Sequence, residues 1–101
     1  RSLAVFIALI AVLVVAVAPG TAATRSVSVK DNFFSPKSIS ISRGSTVTWV
    51  WRGRGFHNVV GGGIRSAIKN KGIFSHKFSK RGTYTFLCTV HPGMSMKVKV
   101  Q

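Results

Sequence analysis

Three kinds of metal-binding side chain lie close together near the end of the chain. Residues 88–96 read CTVHPGMSM and place a thiol, an imidazole and two thioethers in one short segment. These are soft or borderline donors, and they suit copper. Cys88 is the only cysteine, so an intrachain disulfide is excluded and the thiol needs another use in an oxidising compartment. The segment therefore points to a copper site.

Copper sites for electron transfer use two histidines and one cysteine in a plane, with a long and weak axial methionine. His91 follows the cysteine after a two-residue turn, and a Pro-Gly turn then brings the chain back to the first methionine. A second imidazole must come from elsewhere, and His57 is the obvious supplier. The predicted metal ligands are His57, Cys88, His91 and Met94, holding one copper ion.

Single residues of this set have simpler interpretations. Cys88 alone would fit a small buried core residue, because free cysteine is among the most buried residue types. Met96 begins a segment with core periodicity, so we interpret it as packing and Met94 as the ligand. His76 alternates with Phe74 and Phe78, which favours a buried or rim position over a ligand role.

The elements that must position these donors are predicted from a period-two alternation of apolar and polar residues, which is typical of half-buried strands. The alternating apolar sets are Val27 and Val29; Ile39 and Ile41; Val47, Trp49 and Trp51; Phe74 and Phe78; Tyr84, Phe86 and Cys88; Met96, Val98 and Val100. Six to eight strands in an all-β antiparallel sandwich are expected. No helical period follows residue 24, and residues 61–72 remain unassigned apart from their turn signals.

The amino-terminal segment has a different character. Residues 3–17 are uninterrupted apolar side chains after Arg1, followed by small residues up to Ala23. This pattern predicts a helical signal peptide over residues 1–23, cut after Ala23, and one domain over residues 24–101. The apolar run is short of the roughly 20 residues that cross a bilayer. An uncleaved membrane anchor is the alternative.

The charge is strongly one-sided. The chain has 15 Lys and Arg against one acid, Asp31, which gives a formal net charge of +14. The basic residues are spread along the whole domain and are not collected in one tail. Diffuse positive charge favours encounter with acidic partners and peripheral contact with anionic membrane surfaces. It does not specify nucleic acid, which the export signal also disfavours.

Several segments together resemble the plastocyanin and amicyanin branch of the cupredoxins, the type 1 blue copper proteins. They are Phe34-Ser35-Pro36, the positions Ile39, Ile41, Gly44, Val47 and Trp49, then His57-Asn58-Val59, and residues 82–94, GTYTFLCTVHPGM. The resemblance implies a Greek-key sandwich, with copper on His57, Cys88, His91 and Met94. It also implies that Asn58 hydrogen-bonds across to the cysteine loop.

Three features depart from the family pattern. Met96 stands where the family usually has glycine, the interval from His57 to Cys88 is short, and the chain has no acidic patch. A trimmed loop or helix is expected in that interval. If the protein docks as plastocyanin does, we expect the charges of protein and partner to be the reverse of those in plastocyanin.

The function implied by the resemblance is transfer of single electrons through Cu(I) and Cu(II). We expect a monomer that is exported to the periplasm or outside the cell, or tethered if the signal stays uncut, with acidic redox-partner proteins. An enzyme is not expected, because a single acid leaves no carboxylate pair for acid-base chemistry. Two alternatives stay open: a copper trafficking or storage protein that binds Cu(I), favoured only by Met96, and a cationic binder of anionic polymers or lipids.

Overall fold

The computed structural model describes residues 21–101 and contains nine β-strands and no helix over that range. The strands are β1 Thr24–Lys30, β2 Phe33–Ser35, β3 Ser38–Ile41, β4 Thr46–Trp51, β5 Val60–Gly61, β6 Ile64–Arg65, β7 Ile73–Lys77, β8 Gly82–Leu87 and β9 Ser95–Val100. They form two sheets, in the orders β2-β1-β4-β7 and β3-β9-β8-β5-β6. The predicted all-β sandwich is confirmed, with more strands than expected. Residues 1–20 of the predicted signal segment lie outside the described residues.

The alternating sequence pattern forms the core. In β4 the apolar residues Val47, Trp49 and Trp51 are buried while the residues between them are half-buried. In β9, Val98 and its alternate neighbours are buried and the intervening positions are exposed. Successive strand residues point to opposite faces of a sheet, so each strand gives one face to the core. Burying a large apolar side chain stabilises a fold by roughly 1.5–3 kcal/mol.

Trp49 joins the two sheets at the centre of this core. Its ring centroid lies 5.0 Å from that of Phe86 in β8 and 5.8 Å from that of Phe74 in β7. Phe78, just beyond β7, lies 6.4 Å away. Tilted and edge-on contacts of this kind add stability beyond the area that they bury. The aromatic cluster therefore fixes how the sheets sit on each other.

The predicted antiparallel pairing is wrong for two of the strand pairs. β1 pairs with β4 in parallel, with Val27 opposite Trp49, and β3 pairs with β9 in parallel, with Ile39 opposite Val98. The reason is topological, because β3 lies in the sheet opposite β1 and β4. The chain leaves one sheet and returns, and strands joined by such crossovers can run the same way, whereas a tight hairpin gives antiparallel strands. Both sheets are mixed.

The segment that the sequence left unassigned contains a short hairpin. β5 and β6 pair Val60 with Arg65, and Val60 also lies opposite Leu87 at the end of β8. A side chain at Gly61 would overlap the carbonyl oxygen of Thr85, so only glycine allows β5 to come this close to β8. The contact holds the chain that follows His57 against the strand that ends next to Cys88.

Over the described range, no helix has the length and hydropathy to span a membrane.

Candidate metal centre

Two separate parts of the chain bring three donor atoms together. Cys88 directly follows β8, His91 lies in the turn between β8 and β9, and His57 lies between β4 and β5. The thiol sulfur Sγ of Cys88 is 3.6 Å from Nδ1 of His91 and 3.9 Å from Nδ1 of His57. The two Nδ1 atoms are 3.1 Å apart. Three of the four predicted ligands therefore converge, and they form the candidate metal group found among the described residues.

The turn that carries Cys88 and His91 is closed by main-chain hydrogen bonds. The N–H of Met94 donates to the carbonyl of His91 at 3.1 Å, and the N–H of Cys88 donates to the carbonyl of Met94 at 3.0 Å. The Met94 side chain is buried, with 2% of the residue exposed. These bonds join the two ends of the turn, so its donors have little freedom to move apart.

Met96 lies in the core. Its thioether sulfur accepts a hydrogen bond from the indole N–H of Trp49 at 3.3 Å, and the residue is buried among the core side chains. This agrees with its interpretation as a packing residue. His76 is not part of the metal group; its ring lies edge-on to Phe78 with centroids 4.8 Å apart.

Asn58 connects the His57 segment to the cysteine turn. Its side-chain oxygen accepts the backbone N–H of Thr89 at 2.8 Å, and its Nδ2 donates to the Thr89 hydroxyl at 2.9 Å. The asparagine is almost fully buried. The expected bond from Asn58 to the cysteine loop is thus confirmed, and it ties together the two parts of the chain that supply donors.

His57 is held on its backbone as well. It exchanges two main-chain hydrogen bonds with Lys69, at 2.9 and 3.0 Å, and its carbonyl also accepts the indole N–H of Trp51 at 3.1 Å. The Lys69 ammonium lies 4.8 Å from the centroid of the Trp51 ring, in range for a cation–π contact. His57 is fully buried, so packing restricts the movement of its ring.

Sequence reasoning missed the role of Asp31, which lies in the turn between β1 and β2. Its carboxylate is 2.9 Å from Nε2 of His57 and accepts backbone N–H groups from Arg54 at 2.9 Å and Gly55 at 2.7 Å. The Arg54 N–H, then the His57 side chain and the Gly55 N–H, lower the pKa of Asp31 to about 2. A signal was available in the sequence, because Asp31 is the only acid of a very basic chain.

The Asp31 contact defines the proton position on His57. A carboxylate only accepts hydrogen bonds, and a neutral imidazole has one N–H and one bare nitrogen. Nε2 of His57 therefore carries the hydrogen, and the lone pair of Nδ1 faces Cys88 and His91. That is the form in which an imidazole binds a metal.

The three donors differ in their exposure to solvent. His57 and Cys88 are buried, whereas His91 is half-buried and its neighbour Val90 is 43% exposed. Phe56, next to His57 in the chain, is 57% exposed. The cluster therefore lies just beneath a surface that carries exposed apolar side chains.

Two imidazoles and one thiol select a soft or borderline ion. Hard cations such as Mg²⁺ and Ca²⁺ prefer oxygen ligands, and none of the three converging atoms is an oxygen. Two histidines and one cysteine match the planar donor set of copper sites in electron-transfer proteins. The residues present therefore fit copper.

Comparison with known proteins also points to copper binding. The model of a family described as copper binding proteins, plastocyanin/azurin family, matches residues 22–101. The chain is 32% identical to a plastocyanin of Prochlorothrix hollandica, over 83% of this chain and 76% of that protein. It is 32% identical to amicyanin-alpha of Methylorubrum extorquens, over 85% of this chain and 79% of the relative. Among solved structures, a purple cupredoxin from Nitrosopumilus maritimus superimposes with a TM-score of 0.71 at 24% identity, covering 76% of this chain and 99% of that one, a likeness in fold.

Proposed function

The chain belongs to the plastocyanin/azurin family of copper-binding proteins, and from this we propose that it is an exported carrier of single electrons with one copper ion on His57, Cys88, His91 and Met94. The observation that carries the proposal is the convergence of two imidazole nitrogens and one thiol sulfur from two parts of the sandwich. Met94 would supply a thioether as the fourth ligand, since it is buried and its backbone carbonyl accepts a hydrogen bond from the Cys88 N–H.

The chemistry that copper supplies when bound is a change of one electron between Cu(I) and Cu(II). The task of the protein is to keep its donors in one arrangement for both states, so that little reorganisation accompanies transfer. The Asn58 to Thr89 pair and the closed turn from Cys88 to Met94 serve this purpose. Because the ligating groups are fixed by these outer hydrogen bonds, the site keeps its geometry.

The half-buried ring of His91 is the proposed port for electrons. Phe56 and Val90, the chain neighbours of His57 and His91, are exposed apolar side chains. The formal charge of +14 would steer acidic redox-partner proteins towards the molecule, and weakly attract it to anionic membranes. Export to the periplasm or the outside of the cell is proposed from the apolar segment within residues 1–23.

An enzymatic role is not proposed. Acid-base catalysis usually needs a positioned carboxylate, histidine or lysine at a substrate site, and the only carboxylate side chain of the sequence is engaged by His57 and two backbone N–H groups. The trafficking alternative drew its support from Met96, whose sulfur accepts a hydrogen bond from Trp49 inside the core. This position weighs against a second thioether ligand.

The test is the visible spectrum of the protein with Cu(II), beside a Cys88→Ser variant. We expect one copper per chain and an intense visible band from the copper–thiolate bond, which the variant lacks. A colourless protein that holds Cu(I) tightly would favour trafficking, and absence of copper binding would contradict the proposal. Reversible one-electron reduction with rapid exchange between the oxidised and reduced forms would then establish the carrier role.

A further inference from the structure

We propose that Asp31 is a positioning residue of the copper site, which holds His57 with its Nδ1 lone pair towards the metal and biases the site towards the oxidised ion. The inference rests on the proposed function, because it concerns how this chain tunes the same site. Asp31 comes from the turn between β1 and β2, in a part of the chain that supplies none of the predicted ligands.

The first argument is that the contact is built into the fold. Asp31 accepts three hydrogen bonds, from the Arg54 and Gly55 backbone and from His57, all between 2.7 and 2.9 Å. A Cβ atom at Gly53 would overlap the Asp31 carboxylate. A Cβ atom at Gly55 would lie 3.0 Å from Oδ1 of Asp31 and 3.3 Å from Nε2 of His57. The two glycines thus let the loop before His57 wrap closely around this carboxylate.

The second argument comes from charge. The sequence offers 15 Lys and Arg side chains as partners for one carboxylate, yet within the described residues the side chain that it contacts is the His57 ring. Its other hydrogen-bond donors are the backbone N–H groups of Arg54 and Gly55. A surface acid in so basic a chain would be expected to pair with a lysine or arginine. Its place behind a candidate ligand indicates a role for the negative charge there.

The consequence for copper follows from electrostatics and hydrogen bonding. A negative charge near the metal stabilises Cu(II) more than Cu(I). A carboxylate that accepts the Nε2 hydrogen also makes the imidazole a stronger donor, which again favours Cu(II). Both effects lower the reduction potential. Because the Asp31 side chain is 44% exposed, solvent screens the charge and the effect is moderate.

The test compares Asp31→Asn with Gln101→Lys. Both variants raise the net charge by one unit, but Gln101 is an exposed residue beyond β9, near Arg43 and at the opposite end of β9 from the metal turn. For Asp31→Asn we expect the ratio of Cu(II) to Cu(I) affinity to fall about threefold or more, the size given by Coulomb's law for a unit charge several ångströms away in a water-like dielectric. A tenfold fall corresponds to a 59 mV rise in potential.

Two more variants separate charge from hydrogen bonding. Asp31→Ala removes both and should also alter the visible spectrum, because the His57 ring is no longer held. Asp31→Glu keeps the charge, so its reduction potential should lie between those of Asp31→Ala and the wild type. If Asp31→Asn and Gln101→Lys have equal potentials, and Asp31→Ala has the wild-type spectrum, the proposal is wrong.

A measurement on the unsubstituted protein covers the case in which the variants fold poorly. Nitrogen-15 NMR of the histidine side chains in the metal-free protein should show the hydrogen of His57 on Nε2. A hydrogen on Nδ1 would overturn the positioning role, whatever the copper experiments give. If the wild-type protein binds no copper, it is the proposed function that fails, and the NMR result still decides whether Asp31 sets the proton position.

Discussion

Replacing Asn58 with alanine should weaken the connection between the two parts of the chain that supply metal donors. The substitution removes two hydrogen bonds to Thr89, of 2.8 and 2.9 Å. Each such bond contributes roughly 1 kcal/mol net, and the exposed position of Thr89 lets water satisfy its freed N–H. The free energy of unfolding should therefore fall by about 2 kcal/mol, which for a domain of this size lowers the melting temperature by roughly 8–16 °C.

The assay is urea and thermal denaturation of the metal-free protein, with Asn70→Ala as the matched control. Asn70 is exposed, so its removal should change the free energy of unfolding by less than about 0.5 kcal/mol. Copper should also dissociate faster from the Asn58 variant, because the turn that bears Cys88 is less restrained. Equal stability of the two variants would refute the conclusion that this side chain holds the site together.

Four other substitutions test separate parts of the structure. Met96→Leu should destabilise the fold by about 1–3 kcal/mol, because the buried Trp49 N–H loses its acceptor, and it should leave the copper spectrum unchanged. Met94→Leu should instead change the spectrum and the reduction potential. If the two variants showed the opposite pattern, Met96 would be the ligand and Met94 the packing residue. The pKa of Asp31 is lowered from 3.8 to about 2, so its carboxylate stabilises the folded state above pH 4 and loses that effect as the pH falls through about 2. In urea titrations at different pH values, the difference in free energy of unfolding between wild type and Asp31→Asn should vanish over that pH range. Gly61→Ala should destabilise the protein by roughly 1–3 kcal/mol through overlap with the β8 backbone, measured by thermal denaturation, and a neutral result would show that β5 can move away from β8.

The parts of the fold that the sequence predicted correctly are those with strong local patterns. The alternation through Val47, Trp49 and Trp51 identifies β4 because every second side chain is buried. The same period marks β8 and β9. It gives no information about which strand lies alongside which, so the parallel pairings of β1 with β4 and β3 with β9 were missed. The β5 and β6 hairpin was missed because its strands are too short to alternate.

The candidate site was likewise predicted only in part from the sequence. Cys88, His91 and Met94 are close in sequence, and the short turn between them leaves few arrangements. Placing His57 required knowledge of the chemistry of copper, which calls for a second imidazole. The partner of His57, by contrast, is Asp31, which lies 26 positions earlier and approaches it only after the sandwich has formed. No local pattern encodes that contact.

Both tryptophans are buried, and each uses its indole N–H on a different partner. Trp49 donates to the sulfur of Met96 in the core, and Trp51 donates to the carbonyl of His57 beside the donor cluster. The protein consequently contains two intrinsic fluorophores in different environments. Emission from Trp49 reports on the packing of the two sheets, while quenching of Trp51 reports on events at His57. With one indole replaced by phenylalanine at a time, light emission would distinguish metal uptake from loss of the core without any added label.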